Sequence, residues 1–240
     1  MINITKTMSN EPQTLKEFRL RGDVKAKLKA KEPRLFKKYV DEYNADELRE
    51  ILKVEQGSIC CYCMSSIATG KTKIEHYQSR DKNHELEVDY KNLYLACDGE
   101  KINCNEKQDK NVDIHKDCKC KYEKKESYKK IVKHCDTCKD ARALEHINLS
   151  TIERDVKYKS DGTIYSDNAD IDRELNYVLN LNIEILKRNR RNAKIDLWSK
   201  LPKDKSWNSE RINRIIEKYK NSSQKAPYLG VVLYFLGRKL

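Results

Sequence analysis

The chain has 240 residues, enough for one large domain or two small ones, and carries 50 Lys and Arg against 38 Asp and Glu, a formal charge of +12. Its seven Gly and four Pro exclude collagen-like and Pro-rich classes. No apolar stretch approaches the roughly 20 residues of a membrane span, and the opening residues lack a basic-then-apolar secretory pattern. The expectation is a soluble, cytoplasmic protein with no membrane partner. The cationic excess favours a polyanionic partner, with a merely Lys-rich surface as the alternative.

In chain order, residues 1–13 read as a disordered lead. Residues 14–55 read as helical: Leu15, Phe18, Leu28, Leu35, Phe36, Tyr39, Val40, Tyr43, Leu48, Ile51 and Leu52 recur at mostly helical intervals, and Pro33 marks a break or a helix start. Between 16 and 38 the net charge is +7. Residues 56–112 change character, with Gly57 and Gly70 as punctuation and two short apolar runs at 72–77 and 92–97 that suit strands.

Nine cysteines follow a metal-binding pattern better than a disulfide framework, since the number is odd and no export signal accompanies it. Cys60 and Cys63 form a C-x-x-C knuckle, and Cys97 and Cys104 a looser pair. Four thiolates in tetrahedral array suit a closed structural zinc site, with a folded element between the pairs. Cys61 is spare, or an alternative to Cys60. Cys118, Cys120, Cys135 and Cys138 are a candidate second zinc set, or a reduced Cys-rich loop.

Residues 113–170 combine this second group with a Lys-rich stretch and a hairpin that turns at Asp161-Gly162. Residues 171–240 read as helical: Leu175, Val178, Leu179, Asn182, Ile185 and Leu186 share one face. Lys187, Arg188, Arg190, Arg191 and Lys194 then form a basic cluster, either a solvated face or a phosphate contact. The apolar run 226–236 is expected to bury in the chain's own core or in a partner.

Between the zinc pairs lie Ile74-Glu75-His76-Tyr77 and Asn92-Leu93-Tyr94-Leu95-Ala96-Cys97, then Cys104-Asn105. This order resembles the HNH endonuclease motif. The resemblance implies an α+β fold with a zinc-stabilised ββα-metal core at 56–112, flanked by N-terminal (1–55) and C-terminal (171–240) helical segments. It further implies phosphodiester hydrolysis, with His76 as general base and Glu75 and Asn105 as ligands of a catalytic Mg²⁺ or Mn²⁺; a near-neutral His suits the first task and a hard cation the charge of the phosphate. Asn92 would brace the 78–91 loop and so orient His76. Adjacent strand residues face opposite ways, so a bend or bulge is expected to bring Glu75 and His76 together.

Over roughly residues 20–195 the chain is similar to the HNH subunits of Septu-type anti-phage defence systems, including those attached to retrons. The runs that carry the similarity are CYCMSSI, IEHYQSR, DYKNLYLAC, HINLSTIERDVKYKSDGTI and LNYVLNLNIEILKRNR. It departs from the group at Ser79, where Pro is usual, and in the register of the helix after the last zinc Cys, where Lys107 and Lys110 stand near the expected Lys. The group's partner is an ATPase of the ABC or SMC type, and this chain has no P-loop motif of its own. The resemblance therefore implies a nuclease subunit working with that ATPase on DNA or RNA, with a retron reverse transcriptase and its RNA–DNA as further candidate partners. A catalytically inactive zinc module that binds nucleic acid, or an adaptor, is the competing expectation.

Overall fold

The computed structural model of the protein describes residues 1–103, 130–201 and 208–240. The fold is α+β, with far more helix than strand, and none of the helices among the described residues is long and apolar enough to cross a membrane.

The helical interval of apolar residues at the start of the chain resolves into four short helices: α1 (Gln13–Leu20), α2 (Gly22–Lys29), α3 (Leu35–Tyr43) and α4 (Asp46–Glu55). Pro33 stands in the gap between α2 and α3. Each helix turns its apolar stripe inward, with Leu15, Phe18, Leu35, Tyr39, Leu48 and Leu52 all buried. The lead before α1 is not disordered: Met1, Ile2 and Ile4 are buried, and the Ile4 N–H donates to Leu149 O at 2.8 Å. Its apolar side chains, too few to form an element, join the core laid down by later segments.

Strand β1 (Thr72–His76) pairs antiparallel with β2 (Leu93–Cys97), in a register running from Thr72 opposite Cys97 to His76 opposite Leu93. Every residue of β2 is buried, and α4 packs on it. The outer edge of β2 is closed by side-chain and loop groups. The Gln56 amide accepts from Leu95 N at 2.7 Å and donates to Leu95 O at 2.8 Å, and Cys61 N donates to the same carbonyl at 3.2 Å. An edge that would otherwise expose unpaired backbone groups is thereby satisfied, and the 60–63 knuckle is seated against β2.

After β2 the chain turns at Gly99 into β3 (Glu100–Asn103) and returns along β4 (Lys130–Lys133), with Glu100 opposite Lys133. A one-turn helix, α5 (Cys135–Lys139), follows at once. The hairpin of β5 (Lys157–Tyr158) and β6 (Ile164–Tyr165) encloses Asp161-Gly162 as expected.

The C-terminal segment departs from one continuous helix. Helix α6 (Ala169–Arg173) passes into a π-helical turn (Glu174–Val178), the chain breaks at Asn180 in the left-handed region, and α7 (Glu184–Lys200) begins afresh. The break has a purpose in packing. Asn182 donates to Ile164 O at 2.8 Å and accepts from Ile164 N at 2.9 Å, tying this corner to β6. Helices α8 (Ser209–Lys220) and α9 (Leu229–Gly237) complete the chain. The apolar run at 226–236 contains α9, which buries seven residues against α7, α8 and β5 of its own chain.

Candidate active site and metal centre

The Cys60–Cys63 knuckle is a tight turn held by Cys60 N to Ser65 O at 2.9 Å and Met64 N to Cys60 O at 3.1 Å, with Met64 in the left-handed region. It faces the end of β2, so Cys97 comes within 3.8 Å of Cys63, sulfur to sulfur. The fourth member is Cys135, whose sulfur lies 3.9 Å from that of Cys60, and all four sulfurs fall within 4.8 Å of one another and are buried. A tetrahedron with Zn–S arms of about 2.3 Å has edges of about 3.8 Å, so the spacing fits one zinc ion. Sulfurs this close in a buried site share protons or a cation: hydrogen bonding from Cys135 draws Cys63 down to about 6, while burial pushes Cys135 up.

This set differs from the expected one. Among the described residues the fourth sulfur belongs to Cys135, while the expected Cys104, with Asn105, Cys118 and Cys120, lies outside the described residues. The reason is topological. β3 leads away from Cys97 and β4 leads back, with His134 N donating to Gly99 O at 2.8 Å. The residue 38 positions along the chain thus arrives beside Cys97. Cys135 is accordingly taken out of the expected second zinc set, and Cys138 turns to a different neighbour, its sulfur 3.5 Å from the Arg142 guanidinium. His134, given no role from the sequence, places Nδ1 3.0 Å from the Cys135 sulfur.

Glu75 is buried on β1. Its carboxyl accepts from Tyr62 OH at 2.6 Å and pairs with Lys139 Nζ at 2.7 Å. Burial, and then the neighbouring Asp136 carboxyl, push it well above the usual carboxylate range, with Lys139 opposing them. Lys139 is itself buried and also donates to His76 O at 2.9 Å. Neither Asp136 nor Lys139 was singled out from the sequence. The available signal was Cys135-Asp136, which repeats the Cys104-Asn105 pattern of a sulfur ligand followed by an oxygen-bearing side chain, with a Lys three residues on.

His76 projects from the same strand but not to the same partners. The β1–β2 register is regular from Thr72 to His76, with no bulge in the pairing, and the two side chains take different partners although both residues line one cleft. The His76 ring packs edge-on against Phe36, centroids 4.7 Å apart, and its Nε2 meets Glu87 O at 2.9 Å. A carbonyl oxygen only accepts, so this partner assigns the proton to Nε2 and leaves a lone pair on Nδ1. Burial pushes His76 down to about 4, with the Arg80 and Lys139 charges acting in the same direction and the Glu87 carbonyl against them. The ring is therefore neutral at physiological pH.

Asn92 is buried at the end of the 78–91 loop. Its side chain accepts from Gln78 N at 2.7 Å and donates to Gln78 O and Leu86 O at 3.0 and 3.1 Å, while Tyr77 N donates to its carbonyl at 2.9 Å. It closes the loop, and none of these hydrogen bonds goes to Glu75 or to His76.

These groups border one cleft of about 320 Å³, lined by Glu75, His76, Ser79, Arg80, Asp136 and Lys139 among others. The cleft thus gathers the carboxyl-bearing residues Glu75 and Asp136 with His76 and the cationic Lys73, Arg80 and Lys139 on one lining. The site draws on residues 135–139, beyond the expected limit of 112 for its segment. The basic cluster at 187–194 is not uniformly a surface feature: Arg190 is buried, donating to Gly162 O at 2.6 Å and Leu181 O at 2.7 Å. No protein-family model matches the chain, and no curated protein matches it in sequence.

Proposed function

We propose that the chain is a metal-dependent endonuclease of the HNH type that hydrolyses phosphodiester bonds, and that it is the effector subunit of an anti-phage defence complex with an ABC- or SMC-type ATPase. One observation carries the catalytic part: His76, its Nε2 held by the Glu87 carbonyl, is a lining residue of the same cleft as Glu75 and Asp136, beside a four-cysteine cluster. The defence and ATPase parts rest on the resemblance stated above.

In this reading His76 Nδ1 removes the proton from an attacking water; burial keeps the ring unprotonated at neutral pH and makes it a weaker base than a near-neutral imidazole. Glu75 and Asp136 would hold Mg²⁺ or Mn²⁺, and Asn105 remains a further candidate ligand. When bound, such an ion neutralises charge on the phosphate and the leaving oxygen. Arg80 and Lys73 attract the nucleic-acid backbone, Asn92 fixes the loop that follows the base, and the cysteines clamp the knuckle, β2 and α5 around one zinc.

The competing reading, an inactive zinc module that binds nucleic acid, draws support from Lys139, which already neutralises Glu75. The two are separated by incubating the purified chain, alone and with its ATPase, with DNA and RNA in the presence of Mg²⁺, Mn²⁺ or chelator, and sequencing the ends. The nuclease reading expects divalent-dependent cuts that His76→Ala abolishes. Cleavage unchanged in His76→Ala would overturn it.

A further inference from the structure

Glu87 is buried in the loop between β1 and β2, yet its partners belong to the N-terminal helical segment. Its carboxylate accepts from Arg34 N at 3.0 Å and Phe36 N at 3.1 Å, two of the amides that the start of α3 leaves without helical partners. His84 Nδ1 lies 3.1 Å from the same carboxylate. Arg34 holds a left-handed conformation, φ 71°, at this junction, which a non-glycine residue keeps only where its surroundings fix it.

The backbone carbonyl of the same Glu87 is the acceptor for His76 Nε2, and the Phe36 ring, whose amide the carboxylate holds, packs against the His76 ring at 88°. The imidazole is thus touched on one side by the loop and on another by the helix, and one residue joins loop to helix. A shift of α3 moves both contacts together.

We propose that Glu87 and Phe36 are positioning residues for His76: by locking the 78–91 loop to the start of α3 they hold the imidazole as its Nε2–H tautomer and keep Nδ1 as the basic nitrogen. The proposal rests on the reading of His76 as general base for its catalytic consequence, but the tautomer is a property of the protein whatever it cleaves. It also gives the N-terminal segment a role inside the site.

The test uses the full-length, zinc-loaded chain labelled with ¹⁵N-histidine, with the His76 ring signals identified by their loss in His76→Gln. Wild type is expected to show one tautomer, protonated at Nε2. Glu87→Gln keeps the shape but loses the anion that holds two amides, and Phe36→Leu keeps an apolar filler but loses the ring edge. In both, the His76 signals are expected to move toward a mixture of tautomers. The turnover number is expected to fall by about tenfold with KM within about twofold of wild type, the pattern of a misaimed base. Leu48→Ala, a core truncation on α4, should lower the melting temperature and leave the tautomer alone. An unchanged His76 tautomer in both variants would overturn the proposal, whatever their stability. If Glu87→Gln does not fold, as judged by zinc content and amide dispersion, Phe36→Leu decides alone. If the tautomer responds but wild type cuts no nucleic acid, positioning stands and the nuclease reading falls.

Discussion

Lys139 and Glu75 form an enclosed ion pair, 2.7 Å apart, with side chains 1% and 3% exposed. The pair joins α5 to β1, and the second bond of the ammonium, to His76 O, reaches the next residue of the strand. Removing one partner of a buried pair leaves an uncompensated charge, here beside Asp136. Lys139→Met should therefore destabilise the fold by about 3 kcal/mol. Adding Glu75→Gln should recover part of that loss, with a coupling above about 1 kcal/mol in urea unfolding. Strictly additive losses would show that the two groups do not sense each other.

Elemental analysis should find one zinc per chain held by the described cluster. Cys135→Ser should lose that zinc and much of the stability, because metal-binding energy is folding energy in such a site. Cys104→Ser and Cys138→Ser should each retain it. Retained zinc in Cys135→Ser together with loss in Cys104→Ser would restore the ligand set first expected from spacing.

For the catalytic cation, Glu75→Ala and Asp136→Ala should each depress cleavage, with partial rescue by raised Mn²⁺, while zinc content stays at the wild-type level. Asn105→Ala offers the contrast: an effect equal to that of Asp136→Ala, rescued in the same way, would move the oxygen ligand back to Asn105.

His76 supplies a pH dependence with a defined sign. Its folded-state pKa, about 4, lies below the ordinary 6.5, so the unfolded chain takes up the proton more readily. The stability that His76 contributes is complete above pH 6.5 and is lost as pH falls from there toward 4. The gap of about 2.5 pH units, at about 1.36 kcal/mol each, sets an upper size of about 3 kcal/mol. Denaturant unfolding of wild type and His76→Gln in saturating zinc should show wild type losing stability more steeply between pH 7 and 5. Parallel curves would mean that the ring is not held neutral by burial.

The C-terminal apolar run should behave as core. Leu236 is fully buried on α9, and Leu236→Ala should cost about 2–5 kcal/mol. Truncation after residue 225 should leave a poorly folded chain, measured by circular dichroism and thermal melting, with little dependence on salt. A truncated chain that melts like wild type would instead assign the run to a partner.

Much of the local structure was legible because it depends on neighbours in sequence. The two short apolar runs became β1 and β2, Asp161-Gly162 became a turn, and Pro33 fell between helices. The π-helical turn at Glu174 and the break at Asn180 were not legible, since they answer to distant groups: the Glu174 carboxylate accepts from the amides of Glu145, His146 and Ile147. The candidate site divides in the same way. Glu75, His76 and Asn92 sit on or beside the hairpin and could be read in order. Cys135, Asp136 and Lys139 reach it only through the β3–β4 pairing, which spacing along the chain does not reveal, while Cys104 and Asn105 lie outside the described residues. The expected bend or bulge is not a bulge within β1, whose pairing is regular; Lys139 joins the Glu75 carboxyl to the backbone carbonyl of His76.

The paired bases of β3 and β4 give the cysteine cluster a further property. Residues 98–134 leave the site beside one sulfur and return beside another, so a zinc ion held there would close them into a loop fastened at its neck. The entropy of such closure grows only slowly with loop length. The ion would thus hold together Gly99 and His134, and with them the start of α5 that carries Asp136, across a long interval of sequence.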